Sequence, residues 1–326
     1  MVAHLSTAAP ISSEELRVFY DAVLLQTAQV RILHGKFGKP PTTVPLHYGP
    51  LLNFRKFSNL ATTTTALVEG TAGAEIAFSI TSVATSLPEY GQWLYGSQRV
   101  LDMAMDDVEG EVSKKLGQAA GQSLDLITRA ILRAGTQAVY GATAANTTLV
   151  ASLLTINLLR KAAFTLKKQG AEPFVYGGKR RFPAITSAEG LYDLTMDSAL
   201  TAAMQYGYGQ NLADDEANLL DGAIAPELDL MGIRLFETTQ AATVYASSGG
   251  WSYRHVYCTL VFAKDAYGVV EQDANSMKRY FVPSATPDKA DPLQQRWYMG
   301  WKAVHNAVIL DNSYMVRIEH AISGDI

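Results

Sequence analysis

The stretch SKKLGQAAGQSLDLITRAILRAG, Ser113 to Gly135, constrains this chain more than any other. Together with the residues before it, it predicts a single helix over Asp107–Ala134, about 28 residues and ~42 Å at 1.5 Å per residue. Asp106 or Asp107 can cap the start, and Gly135 suits the C′ position. Asp107, Glu109 and Glu111 at one end and Arg129 and Arg133 at the other complement the helix dipole. Asp125 and Arg129 have the spacing of an i,i+4 ion pair. Val108, Val112, Leu116, Ala120, Leu124, Ile127 and Ile131 form one narrow apolar stripe. So long a helix with so narrow a stripe predicts a beam laid across a sheet, rather than a helix buried all round.

Gly110, Gly117 and Gly121 interrupt this pattern, each at a cost of roughly 1 kcal/mol against alanine inside a helix. Gly117 and Gly121, with Ala119 and Ala120, make a smooth strip on which another segment can lie. The alternative is glycine tolerated on an exposed face. The same GxxxG spacing marks membrane helix pairs, but Lys114, Lys115 and Gln122 flank it here and exclude that reading. The longest apolar stretches, TTLVASLLTINLL and IAFSITSVATSL, fall short of the ~20 apolar residues a bilayer span needs. No membrane partner is expected.

At 326 residues and 48% hydrophobic, the chain can bury a substantial core, with room for more than one domain. Its net charge of -4 excludes a generic nucleic-acid binder. Cys258 is the one cysteine, so no intramolecular disulfide forms. The N-terminal sequence MVAHLSTAAPISSEEL lacks a basic region followed by an apolar core and is not read as a secretory signal.

Ser12 and Glu15 form a capping box and Ile11 with Leu16 a staple, opening a first helix through Leu16, Phe19, Val23, Leu24 and Val30. From about Thr42 to Val100 the chain reads as β structure, thin in large apolar residues. The alternation Ile76, Phe78, Ile80 slips by one at Val83, Thr85, Leu87, which flips the buried face unless a bulge absorbs it. Such a ribbon is marginal alone and needs another surface. After the long helix, a second helix runs from an N-cap at Thr155 to Gly170, with a stripe of Leu159, Ala162, Ala163 and Leu166. Short strands and loops follow, including LYDLTMD. Two strands around a turn at Asp311–Asn312 close the sequence. The mixture is α+β, without the regular alternation of a doubly wound sheet.

Chemistry is sparse. His4, His34, His47, His255, His305 and His320 never fall at HxH or HxxxH spacing, and with one cysteine no zinc site is expected. GGKRR at Gly177 lacks the rest of a Walker motif and reads as a solvated basic loop. There is no GxSxG elbow. Asp193 and Asp197 are the least implausible catalytic carboxylates and otherwise serve as caps. No catalytic, cofactor or metal residue is assigned.

The chain resembles the tailed-phage major capsid proteins of the Hong Kong 97-type fold, and more narrowly is similar to the coat proteins of the N-four-like phages. The resemblance rests on an ordered set of stretches: LVEG, LPEYGQW, KKLGQAAGQSLDLITRAIL, LYDLTMD, IRLFETTQA, AYGVV, DPLQQRWYMGWKAVHNAVIL and MVRIE. It implies an N-terminal arm at 1–36, an extended β-ribbon loop at 37–100, and a peripheral domain with the spine helix at 101–140 and 301–326. The axial domain would be 141–300, and strands near Tyr314–Glu319 would return to the peripheral domain.

The implied function is a structural one without enzymatic activity. Pentamers and hexamers of the chain would close an icosahedral head, assembled in the bacterial cytoplasm, around double-stranded DNA held by non-specific proximity. Portal, decoration and separate scaffold proteins are further implied partners. Inter-subunit contacts are expected at Asn53, Arg55, Lys56, Glu69, Gly117 and Gly121, with Arg55 and Lys56 meeting carboxylates of a neighbour. Nothing in the ribbon marks a covalent crosslink. Three rivals remain: a nanocompartment shell enclosing cargo protein, a soluble α+β enzyme using Asp193 and Asp197, and another virion component.

Overall fold

The structure is a computed structural model that describes residues 24, 32–44, 51–57, 60, 62–66, 69–70, 75–103, 107–141, 144–176, 178–198, 228–230, 232–248, 252–272, 277–284, 291 and 293–323. The first helix read from the sequence lies outside them except for Leu24, which is helical and buried.

The long helix forms where expected. It runs over Val108–Arg133, between the short helix α1 (Gln98–Met103) and the rest of the chain, and we label it α2. Asp107 caps it, its carboxylate accepting from the Gly110 amide at 3.0 Å. The far end is held by Arg317, whose guanidinium donates to the carbonyls of Arg133 and Gly135.

Two sheets share this helix. The smaller, five-stranded sheet orders β1 (Lys39–Val44), β12 (Tyr267–Gln272), β14 (Arg296–Ile309) and β13 (Lys278–Val282), with β4 (Glu89–Ser97) also on β14. Alternation along β14 turns Trp297, Met299, Trp301 and Ala303 inward, where they pack with Leu24 and with Leu116, Ala120 and Leu124 of α2. Gly117 and Gly121 are buried on the same helix face.

The larger, eight-stranded sheet runs β5 (Ala138–Tyr140), β15 (Met315–His320), β11 (Ser252–Phe262), β7 (Lys179–Ser187), β9 (Ile233–Thr238) and β8 (Leu228–Leu230). The short β10 (Ala242–Ser248) joins β11 and β6 (Phe174–Tyr176) joins β7. One face packs under α3 (Ile156–Lys168) and α4 (Ala188–Thr195), through Leu159, Ala162 and Leu166 on Phe182, Leu235 and Val316. The opposite face, with Ile185, Phe236 and Leu260, meets Leu132 of α2 and Leu33 and Phe37. The long helix therefore rests its middle on one sheet and its C-terminal end on the other.

Several expectations change. Asp125 does not pair with Arg129. It is buried, and Arg129 turns instead to the carbonyls of Gln240 and Ala241 at 2.8 and 3.0 Å. Thr155 takes the N-cap position of α3 without a side-chain bond, and the Asp197 carboxylate caps instead, accepting from the Ile156 amide at 3.0 Å. LYDLT is helical in α4 because Ser187 caps it and Leu194 turns into the core. The closing strands β14 and β15 both form, but in different sheets. β15 lies between β5, from just after the long helix, and β11, and does not pair with its neighbour in sequence.

The ribbon is β2 (Leu51–Phe57) paired with β3 (Ile80–Ser86), in unbroken register from Leu51↔Ser86 to Phe57↔Ile80. No bulge absorbs the slip in its apolar pattern. Val83 and Thr85 turn toward the protein, while Ile80 is left on the solvent side. β1 and β4, which flank the ribbon in sequence, both belong to the smaller sheet.

Candidate assembly surfaces

The root of the ribbon is tied to its own chain. Asn306 Nδ2 donates to Thr85 Oγ1 at 3.0 Å and to the Ser86 carbonyl at 2.7 Å. The Phe54 ring lies over Gly268, where an added β-carbon would come within 3.3 Å of it. Lys56 Nζ forms an ion pair with Asp311 Oδ2, so the carboxylate that meets Lys56 is in the same chain. Burial alone would raise the Asp311 carboxyl, but its bonds to Lys56 and Ser313 outweigh that and hold it below the usual carboxylate range.

Beyond the root the ribbon projects. Every described residue from Arg55 to Ser82 is exposed, Glu69 among them, and Asn53 is exposed as well. The exposed set is apolar at Phe57, Leu60, Ile76, Phe78 and Ile80, and the Phe57 and Phe78 rings stack at 5.8 Å. Apolar side chains of this size gain roughly 1.5–3 kcal/mol each on full burial, and the single chain leaves that gain unrealised.

A second uncovered apolar surface lies on the outer face of the smaller sheet. β14 turns Tyr298 and Lys302 outward, beside Trp93 and Tyr95 of β4 and Tyr280 and Val282 of β13. Trp93 is 67% exposed, and its ring lies 6.2 Å from Tyr95 and 6.1 Å from Tyr298. Gly300 stands in one row between Trp93 and Tyr280, and its missing side chain makes the floor of a groove of about 510 Å³. Glu89 and Lys302, paired at 2.8 Å, close one end. The sequence reading missed this surface because it assigned LPEYGQW to the ribbon. The signal was present in RWYMGWK, whose second alternating face sets Tyr298 and Gly300 between Arg296 and Lys302.

The candidate carboxylates are structural. Asp193 Oδ2 accepts from the Ser323 amide at 3.0 Å, and Asp197 caps α3. Among the described residues, no group of three His, Cys, Asp or Glu side chains could hold a metal ion, and no helix is long and apolar enough to cross a membrane.

No protein-family model and no curated protein matches the chain. Solved structures do. It is similar to the capsid of Ralstonia phage GP4, at 12% identity over 90% of each chain with a TM-score of 0.67. It is similar to the capsid of cyanophage P-SCSP1u, at 16% identity over 87% of each chain with a TM-score of 0.61. This is the tailed-phage capsid fold. A virus-like particle from Pyrococcus furiosus shares it, at 12% identity over 93% of this chain and 99% of that one, with a TM-score of 0.52. The projecting ribbon and the groove are two different apolar patches, and the described residues cover neither.

Proposed function

We propose that the chain is the major capsid protein of a tailed bacteriophage, of the N-four-like lineage, and that it assembles as pentamers and hexamers into the icosahedral head around double-stranded DNA. The observation that carries this is the pair of unlike apolar patches, ribbon and groove, on a capsid fold. Unlike patches that fit each other make head-to-tail contacts, which close into rings. Many such modest contacts become collectively stable in a closed shell.

In this reading the arm is 1–36 and the extended loop falls within 37–100. The peripheral body is the smaller sheet with the long helix, and the axial body is the larger sheet built mainly from 141–300. Arg55, Asn53 and Glu69 on the exposed ribbon face the neighbouring copy. Lys56, Gly117 and Gly121 already have partners or cover within the chain and act through the ribbon root and the helix packing. Scaffold, portal and decoration proteins are partners of the assembled particle, formed in the host cytoplasm.

The ribbon-to-groove contact is tested by disulfide trapping. The one native thiol, Cys258, is buried, and burial first, then the Glu319 charge, push it up to about 12, so it stays silent. A chain carrying Phe78→Cys and Tyr280→Cys should give a ladder of covalent multimers on oxidation of assembled particles, and either single variant should not. A fast-migrating monomer with an internal disulfide, or no ladder, rejects the contact. Electron microscopy of the expressed chain tests the shell itself. The fold is shared with a virus-like particle from Pyrococcus furiosus, so the second reading is a shell that does not package viral DNA, and purified particles free of nucleic acid would support it over the first.

A further inference from the structure

Residues 156–181 are the basic exception in an acidic chain. They hold seven Lys or Arg against one acid, Glu172, a local charge of +6 where the whole chain carries -4. The fold gathers much of this charge on one face. α3 buries Leu159, Ala162, Ala163 and Leu166 against the larger sheet, so its helical period turns Arg160, Lys161, Phe164, Lys167 and Lys168 outward, and all five are exposed. Phe164, 66% exposed, sits at the centre with cations one turn before it and one turn after.

The β6–β7 hairpin extends the surface. Arg180 stands opposite Val175, and strand alternation puts both on the sheet face of Phe182, which packs beneath α3. Both are exposed. The one acid is already occupied, since Lys264 Nζ lies 3.2 Å from Glu172 Oε2. Among the described residues no ion pair forms on Lys161, Lys167, Lys168 or Arg180.

Like charges crowded on one face repel until an anion arrives. Duplex phosphates would answer the cations but offer no apolar surface to a phenyl ring. An acidic protein segment with apolar side chains answers both, its carboxylates meeting the lysines and its apolar residues covering Phe164 and Val175. We propose that the outer face of α3, with the hairpin beside it, docks an acidic amphipathic segment of a partner protein. This assignment stands independently of the shell reading.

The test uses the purified full chain and three fluorescent probes: a helical peptide of Glu and Leu at amphipathic spacing, a peptide of the same length with Ser for Leu, and a short DNA duplex. The Glu/Leu peptide should bind roughly tenfold more tightly than the Glu/Ser peptide. Phe164→Ser should erase that difference, and Lys161→Glu with Lys167→Glu and Lys168→Glu should abolish binding of both peptides. Because these residues are exposed, the thermal midpoint should stay unchanged. Tighter binding of the duplex than of either peptide, equal binding of the two peptides, or loss of self-assembly in Phe164→Ser without any peptide effect would each overturn the proposal. The last outcome would assign the face to a second copy of the chain.

Discussion

His34 Nδ1 lies 2.7 Å from Asp125 Oδ2, and both side chains are almost fully buried. The other oxygen of the same carboxylate accepts from the Leu33 and His34 amides at 2.8 and 2.7 Å. One carboxylate in the middle of α2 thus receives three donors from a segment more than ninety positions away. Tyr267 adds a further tie, its hydroxyl donating to the His34 carbonyl.

Asp125→Ala leaves those donors buried without an acceptor. Breaking a buried charged hydrogen-bonded pair costs about 3–5 kcal/mol. Denaturant unfolding should show that loss, and hydrogen exchange should quicken first at the Leu33 and His34 amides.

Arg317 both caps α2 and lies 2.7 Å from the fully buried Glu319. Arg317→Met alone should cost about 3–5 kcal/mol, because Glu319 is left as an uncompensated buried charge. Adding Glu319→Leu should recover most of that, leaving mainly the lost cap. A double-mutant cycle by chemical denaturation measures the coupling, and additive losses would contradict the pairing.

His320 Nδ1 faces the Ala321 carbonyl at 3.1 Å, which can only accept, so the proton sits on Nδ1 and Nε2 accepts from Thr259 Oγ1 at 3.0 Å. Burial pushes this histidine down to about 4. Between pH 6.5 and 4 the unfolded chain binds a proton that the folded chain refuses, so stability is complete above 6.5 and falls as the pH drops. The loss is on the order of 3 kcal/mol across that window. In calorimetric scans from pH 7 to 4.5, His320→Gln should have a lower midpoint at neutral pH and a shallower acid slope.

At Gly300 an added β-carbon would come 3.0 Å from Trp93 Cβ and 3.1 Å from the Gln92 carbonyl. Gly300→Ala should therefore cost about 1–3 kcal/mol by overpacking. It also raises the groove floor. The thermal midpoint checks the first effect and particle yield the second.

The start of α2 was legible because its cap is local, Asp107 accepting from the Gly110 amide three positions on, whereas the Arg317 clamp on the far end comes from a distant part of the chain. Asp125 was not, because its partners stand far away in sequence and an i,i+4 neighbour offered a plausible substitute. Leu159 to Leu166 read correctly as a buried stripe, and the same helical period carried the exposed lysines of α3, which went unremarked. The separation of β14 from β15 was hidden for a different reason. A turn between two apolar runs looks alike whether the strands then pair or part, and only the packing of Trp301 on α2 and of Val316 under α3 decides it.

β15 also sets an order on manufacture. It fills the place between β5 and β11 in the larger sheet, yet it leaves the ribosome after every other strand there. Until Val316 and Ile318 arrive, β5 and β11 have no common neighbour, and an interrupted polypeptide holds an open slot where the core should close. Domains generally fold as units during synthesis. Only a chain translated through His320 can complete this one, so prematurely terminated products are barred from presenting a finished surface to their siblings.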